Sequence, residues 1–134
     1  YISRLKHYID FELFIIPTIK SGAKMNNNLL KETEGREILK NISKAEFVVL
    51  LDEKGKEFSS VGFSGFIQKR MNAGIDLTFI IGGPFGFSEE VYAQSNLKIA
   101  LSQMTFSHQM IRLFFVEQLY RSYTILKGEK YHHN

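Results

Sequence analysis

A chain of 134 residues with 44% hydrophobic and 23% charged residues has the size and apolar content of one domain with a real core, which excludes a disordered tail. It holds no Cys, so disulfides, thiolate metal sites and Cys nucleophiles are excluded, and that composition fits the cytosol. A formal net charge of +3 is compatible with nucleic acid but low for a lone polyanion binder, so an RNA-binding chain of this kind needs a basic patch, a dimer or a shaped target.

In chain order, Tyr1-Ile2-Ser3-Arg4-Leu5 is a helix-like phrase without a Met before it, read here as the remainder of a first helix whose natural start lies upstream. Phe11 to Ile16, stopped by Pro17, is expected as a buried strand. Residues 18–28 are polar, with Gly22 and three Asn, and read as a loop. Leu29, Leu30, Ile38, Leu39 and Ile42 among charges predict an amphipathic helix over 29–43. Phe47-Val48-Val49-Leu50-Leu51 is a second buried strand, followed by a turn at 52–56. Ser59 or Ser60 can cap a helix running to about Met71, ended by Asn72-Ala73-Gly74. Leu77 to Ile81 is a third strand, closed by Gly82-Gly83-Pro84. Ser88 caps a short helix with Glu89 and Glu90 in its first turn. Leu97 to Leu101 is a fourth strand, and a long helix runs from about Ser107 to Leu126, ended by Lys127-Gly128.

Strands and helices alternate, and the strands are near-continuous apolar runs. That pattern predicts an α/β fold, a mostly parallel sheet with helices on both faces, in one domain over 1–134. No apolar run approaches the roughly 20 residues of a membrane span, and no signal peptide is visible.

The chemistry-bearing motifs are individually plain. Gly82-Gly83-Pro84-Phe85-Gly86 lies between a strand and a helix, where open parallel sheets bind ligands, but alone it supports only a turn. It is neither a dinucleotide fingerprint nor a P-loop. Leu101-Ser102-Gln103-Met104-Thr105-Phe106 carries hydroxyls, an amide and apolar groups, suited to an adenine or to nothing. On the last helix His108, Arg112, Phe115 and Leu119 share a face by spacing. Glu117 and Arg121, at i and i+4, make an ordinary surface pair unless they face a pocket. The tail Tyr131-His132-His133 keeps residues able to stack on bases and move protons. No His or acid spacing suggests a metal site.

Taken in order, Phe47 to Gly55, Phe79 to Pro84, Leu101 to Phe106, His108 to Arg112, Glu117 to Arg121 and Tyr131-His132 resemble the motifs of the RlmH family. These are SPOUT-class methyltransferases acting on a pseudouridine of bacterial 23S rRNA. The resemblance spans essentially the whole chain, with the family's N-terminal strand and part of its first helix missing. It implies an α/β fold with a C-terminal trefoil knot, an exception to the rule against knots. It also implies a cytoplasmic homodimer, S-adenosyl-L-methionine as cofactor, and N3 of pseudouridine 1915 in the assembled 70S ribosome as target. No membrane and no metal enter.

By position, the resemblance implies cofactor contacts from Leu51, Gly82, Leu101, Ser102, Gln103, Met104, Thr105 and Phe106, with the Leu51 side chain and the Gly82 backbone around the adenine. The implied catalytic set is Glu117, Arg121, Tyr131 and His132. Arg121 would orient phosphate or base, Tyr131 and His132 would form the platform for the target base, and Glu117 would orient Arg121 or help remove a proton. Two positions depart from the family: Ser107 stands where Pro is common, expected to loosen the lead-in to the last helix, and His133 where Arg or Lys is usual. The alternatives are a SPOUT enzyme for tRNA or another RNA, and a non-catalytic ribosome-binding factor of the same fold.

Overall fold

The computed structural model describes residues 1–16, 27–82 and 86–133. Within them the order is α1 (Ile2–Leu5), α2 (Asn27–Ile42), β1 (Phe47–Glu57), α3 (Ser60–Asn72), β2 (Leu77–Ile81), α4 (Glu89–Gln94), β3 (Leu97–Ala100) and α5 (His108–Leu126).

Five successive large apolar residues, Phe47 to Leu51, can all be buried only by a strand covered on both sides. β1 is that strand. It lies in the middle of a β2-β1-β3 sheet and is parallel to both neighbours. Because side chains alternate along a strand, Val48 and Leu50 point to one face. There they join Ile80 against Ile38 and Ile42 of α2, Val91 of α4, and Phe87. Val49 and Leu51 point to the other, where Ile99 completes a layer against Phe63 and Ile67 of α3, Phe115, Leu119, Tyr120 and Tyr123 of α5, and Leu5 of α1. Helices therefore cover both faces, as the uninterrupted apolar runs predict.

Asn96 fixes the register at the start of the sheet. Its side-chain Oδ1 accepts from the Val48 N–H at 2.8 Å, and its own N–H donates to the Val48 carbonyl at 2.8 Å. Serines cap three helices: Ser59 accepts from the Gly62 N–H and Ser88 from Val91, as expected, and Ser107 accepts from Met110.

Three expectations change. The run Phe11 to Ile16 forms no strand, and Leu13, Phe14 and Ile15 are 55%, 74% and 69% exposed. An apolar run becomes a strand only where a neighbour takes its backbone hydrogen bonds, and among the described residues no strand pairs with it. The loop expected at 18–28 lies mostly outside the described residues, and Asn27 and Asn28 belong to α2.

The turn expected at 52–56 is instead an excursion inside β1. Leu51 and Lys56 both stand in register with Ile99, so residues 52–55 are looped out between two pairings with the same residue. Asp52 tightens the excursion by accepting from the Lys54 N–H at 2.9 Å. It closes through Gly55, whose backbone passes so near β3 that a Cβ would lie 2.6 Å from the Ile99 nitrogen and 2.6 Å from the Lys98 carbonyl carbon.

Both of those neighbours are backbone atoms, which cannot swing away as a side chain does. Gly55→Ala is therefore expected to destabilise the fold by about 1–3 kcal/mol, seen as a lower thermal midpoint. An unchanged midpoint would show that the excursion does not press on β3.

Candidate functional site

A parallel sheet brings the carboxyl ends of its strands to one edge, the usual ligand side of such folds. Leu51 pairs with Ile81 on one side and Ile99 on the other. Gly82 follows Ile81 directly, and Leu101 to Phe106 follow the end of β3. All eight positions expected at the cofactor thus gather along this edge. Gly83-Pro84-Phe85 lies outside the described residues.

The side chains there divide between packing and presentation. Leu51 is 9% exposed and belongs to the core layer beneath α3 and α5. Gly82 has a packing reason to be glycine, since a Cβ would meet the Phe87 ring at 2.7 Å. Leu101 packs against the same core as Leu51, whereas Gln103, Met104 and Thr105 are exposed. Ser102 accepts from the Met104 N–H at 3.0 Å and folds the loop on itself. Phe106 meets Phe114 of α5 edge to face at 5.2 Å.

The β1 excursion reaches the same edge. Glu53 accepts from the Thr105 hydroxyl at 2.6 Å, and Asp52 from the Tyr92 hydroxyl at 2.5 Å. Glu53 therefore borders the loop after β3, and Asp52 beside it holds α4. In the sequence they belong to the turn expected at 52–56. Their place directly after a buried strand, at the ligand side of the sheet, was the available signal.

The second half of the site is made by a reversal after α5. Gly128 adopts φ 69°, a left-handed conformation that costs glycine little. The Glu129 N–H returns to the Thr124 carbonyl at 2.9 Å. The tail then runs back along α5 and places Tyr131 and His132 against residues of earlier turns.

Glu117 is the hub of the resulting cluster. Its Oε1 accepts from Arg121 Nη2 at 2.6 Å, Arg121 Nε at 3.1 Å and the Tyr131 hydroxyl at 3.0 Å. Its Oε2 accepts from Gln118 Nε2 at 3.0 Å. Arg121 Nη1 meets His132 Nδ1 at 3.1 Å, and the guanidinium lies 4.8 Å over the Tyr131 ring. Tyr120 braces that ring edge to face at 4.7 Å. The Glu117–Arg121 side chains are 17% and 25% exposed, so the pair is no loose surface bridge. The structure thus brings Glu117, Arg121, Tyr131 and His132 together, and adds Tyr1, Tyr120 and Gln118.

Tyr131 stays a neutral phenol here. The hydrogen bond with the Tyr1 hydroxyl, then burial, then the Glu117 carboxylate all hold its pKa above the ordinary phenol range. His132 has a defined tautomer. A guanidinium only donates, so Nδ1 accepts and the ring proton sits on Nε2. Among the described residues no three His, Asp or Glu side chains gather as a metal site, and no helix is long and apolar enough to cross a membrane.

Comparison with known proteins decides the family. The family model described as "Predicted SPOUT methyltransferase" matches residues 1–132. The chain belongs to the SPOUT methyltransferase family. It is similar to the protein named ribosomal RNA large subunit methyltransferase H of Christiangramia forsetii, at 60% identity over 99% of this chain and 85% of the relative. Similar proteins of the same name occur in Flavobacterium johnsoniae, at 55% identity, and Porphyromonas gingivalis, at 52%, with the same coverage of both chains. Membership of the SPOUT class implies a trefoil knot in the C-terminal half. Ser107, expected to loosen the lead-in to the SPOUT chain's last helix, lies at φ −64°, where a proline ring would hold it. Its Oγ adds a bond, accepting from the Met110 N–H at 3.4 Å.

Tyr92 ties the excursion to α4, and burial first, then the hydrogen bond to Asp52, push its phenol from 10.0 up to about 12. A pKa raised on folding favours the protonated, folded form. The stability it contributes is whole below pH 10.0 and is lost as pH rises toward about 12. In alkaline melts the Tyr92→Phe variant is expected to lose less stability across that window than the wild type. Parallel curves for the two proteins would contradict the Tyr92–Asp52 linkage.

Proposed function

We propose that this chain is an S-adenosyl-L-methionine-dependent methyltransferase that modifies N3 of pseudouridine 1915 in 23S rRNA of the assembled 70S ribosome. The observation that carries the reading is the return of the tail onto α5, which gathers Glu117, Arg121, Tyr131 and His132 into one hydrogen-bonded cluster. The similar proteins named as large-subunit rRNA methyltransferases supply the substrate class.

The strand-end loops suit such a donor. Leu51, Gly82 and Leu101 to Phe106 would hold it, with backbone groups and apolar walls for the adenine. Glu53 borders the loop after β3, with Asp52 next to it against α4, and two such carboxylates suit a cationic ligand. When bound, S-adenosyl-L-methionine supplies a methyl group on a positive sulfonium.

The protein's task is to orient the base and ease loss of its N3 proton. As N3 gives that proton to solvent, negative charge spreads onto the flanking carbonyl oxygens. Groups that stabilise it must donate. Arg121 carries a permanent charge, and His132 presents Nε2–H because Arg121 occupies Nδ1. Glu117 is engaged by its donors on both oxygens, which makes it the anchor of Arg121 and Tyr131 rather than the proton acceptor. Tyr131, a neutral phenol, offers its ring as a platform for the base.

A second copy of the chain fits the exposed apolar surface on and before α5. Met104 in the cofactor loop is 74% exposed, and Met110, Leu113 and Phe114 on the helix after it are 43%, 51% and 38% exposed. We place the homodimer contact there. A shared interface brings two weakly basic chains to one RNA, which offsets the net charge of +3 on each. The enzyme works in the cytoplasm, where its ribosome is.

Labelled methyl transfer to 70S ribosomes, with the product mapped to N3 of pseudouridine, tests the reading. Transfer to ribosomes over free subunits is expected, and transfer to neither would overturn it. Preference for tRNA would move the enzyme to another RNA. His132→Ala should lower kcat by about 100-fold while S-adenosyl-L-methionine still binds by calorimetry; undiminished turnover would remove His132 from the site. Leu113→Asp should convert a dimer to a monomer in sedimentation, and an unchanged dimer would exclude this face as the contact.

A further inference from the structure

Gln118 is not among the residues to which the reaction above assigns a role, yet it is wired to their hub. We infer that Gln118, held by Ser60 of α3, is a positioning residue for the methyl transfer, because it fixes which oxygen of Glu117 faces Arg121 and Tyr131. The inference rests on the methyltransferase reading of the cluster.

The geometry is directional. A carboxylate only accepts, so Gln118 must turn its amide NH2 to Glu117, and Nε2 donates to Oε2 at 3.0 Å. That leaves the amide oxygen facing away, where the Ser60 hydroxyl donates to it at 2.8 Å. Ser60 is the first residue of α3, on a different helix. The chain of donors therefore runs from α3 through Gln118 into Glu117.

The need for such a fixture follows from the side chain itself. The last torsion of Glu is broad and roughly two-fold, so its rotamer does not decide which oxygen points where. Three donors converge on Oε1: Arg121 Nη2, Arg121 Nε and the Tyr131 hydroxyl. Among the described residues Gln118 alone engages Oε2. Without it the carboxylate can pivot, and Arg121, Tyr131 and His132 shift with it. A misplacement of this kind costs turnover rather than donor affinity, because the strand-end loops do not depend on it.

The test begins with the wild type. If it transfers no methyl group to 70S ribosomes, the proposed function fails and this inference with it. If it does, Gln118→Leu, which keeps the side-chain bulk and removes the amide, should lower kcat by about 10- to 100-fold. The KM for ribosomes and the calorimetric affinity for S-adenosyl-L-methionine should stay within about twofold, a split that general unfolding does not produce. Ser60→Ala should lower kcat by about fivefold, and the double variant no further than Gln118→Leu. A folded Gln118→Leu with wild-type kcat, or one losing kcat and donor affinity together, would overturn the positioning role while leaving the function intact. If Gln118→Leu does not fold, Ser60→Ala decides: an unchanged kcat overturns the inference, and a loss of about fivefold at an unchanged thermal midpoint supports it.

Discussion

The described structure is arranged around a strand that is buried on both faces from Val48 to Leu51. Phe47 to Leu51 must pair on both edges and be covered on both sides, and that single constraint explains the layout. Parallel neighbours on each edge bring three strand ends to one line. Helices on both faces require crossovers, which place loops at that same line. The edge at which open parallel sheets bind ligands therefore exists before any residue is specialised for it. Specialisation comes from the excursion at 52–55, which interrupts β1 where its burial ends and sets Asp52 and Glu53 against the neighbouring loop and helix.

The second centre is built by different physics. No sheet edge positions Glu117, Arg121, Tyr131 and His132. Helical spacing sets the first two side by side, and a left-handed Gly128 turns the tail back over them. The tail is then held by aromatic contacts as much as by polar ones. Tyr120 supports Tyr131, Tyr8 stacks on Tyr123 at 6.0 Å, and the Tyr8 hydroxyl reaches both oxygens of Glu129 at 2.9 and 2.7 Å. The aromatic richness of the composition thus has a local use: it clamps a C-terminal segment that would otherwise fray.

What was legible in the sequence follows from how local each cause is. Strands β1, β2 and β3 announce themselves as uninterrupted apolar runs, and the serine caps mark helix starts within a residue or two. Phe11 to Ile16 has the same look and is no strand, because pairing depends on a partner elsewhere in the chain. The β1 excursion was read as a plain turn for the mirror reason. Asp52 to Gly55 does turn, but Lys56 resumes the pairing with β3, and only the position of Ile99 reveals it. Helical spacing makes Glu117 and Arg121 neighbours, yet spacing alone fits a weak surface bridge. Their burial depends on where the tail goes. Gln118 stayed hidden because its significance lies in Ser60, far away along the chain.

The two departures from the family pattern show how backbone geometry and side-chain chemistry can be exchanged. A proline before the last helix would fix φ near −65° by its ring. Ser107 reaches φ −64° without the ring and contributes a cap through its hydroxyl. Geometry is kept, and the lost rigidity of the unfolded chain is offset by a bond the ring could not make. His133 has no such compensation. It is exposed and follows directly on His132, so replacing a permanently charged side chain there changes attraction to phosphate without changing the fold. The lead-in to α5 can vary so long as φ is preserved, whereas a change at His133 alters the charge the tail presents to solvent. The cluster around Glu117 sits between these two positions and depends on neither for its internal hydrogen bonds. That independence lets the charge of the tail change without disturbing the hydrogen bonds that hold Glu117, Arg121, Tyr131 and His132 together.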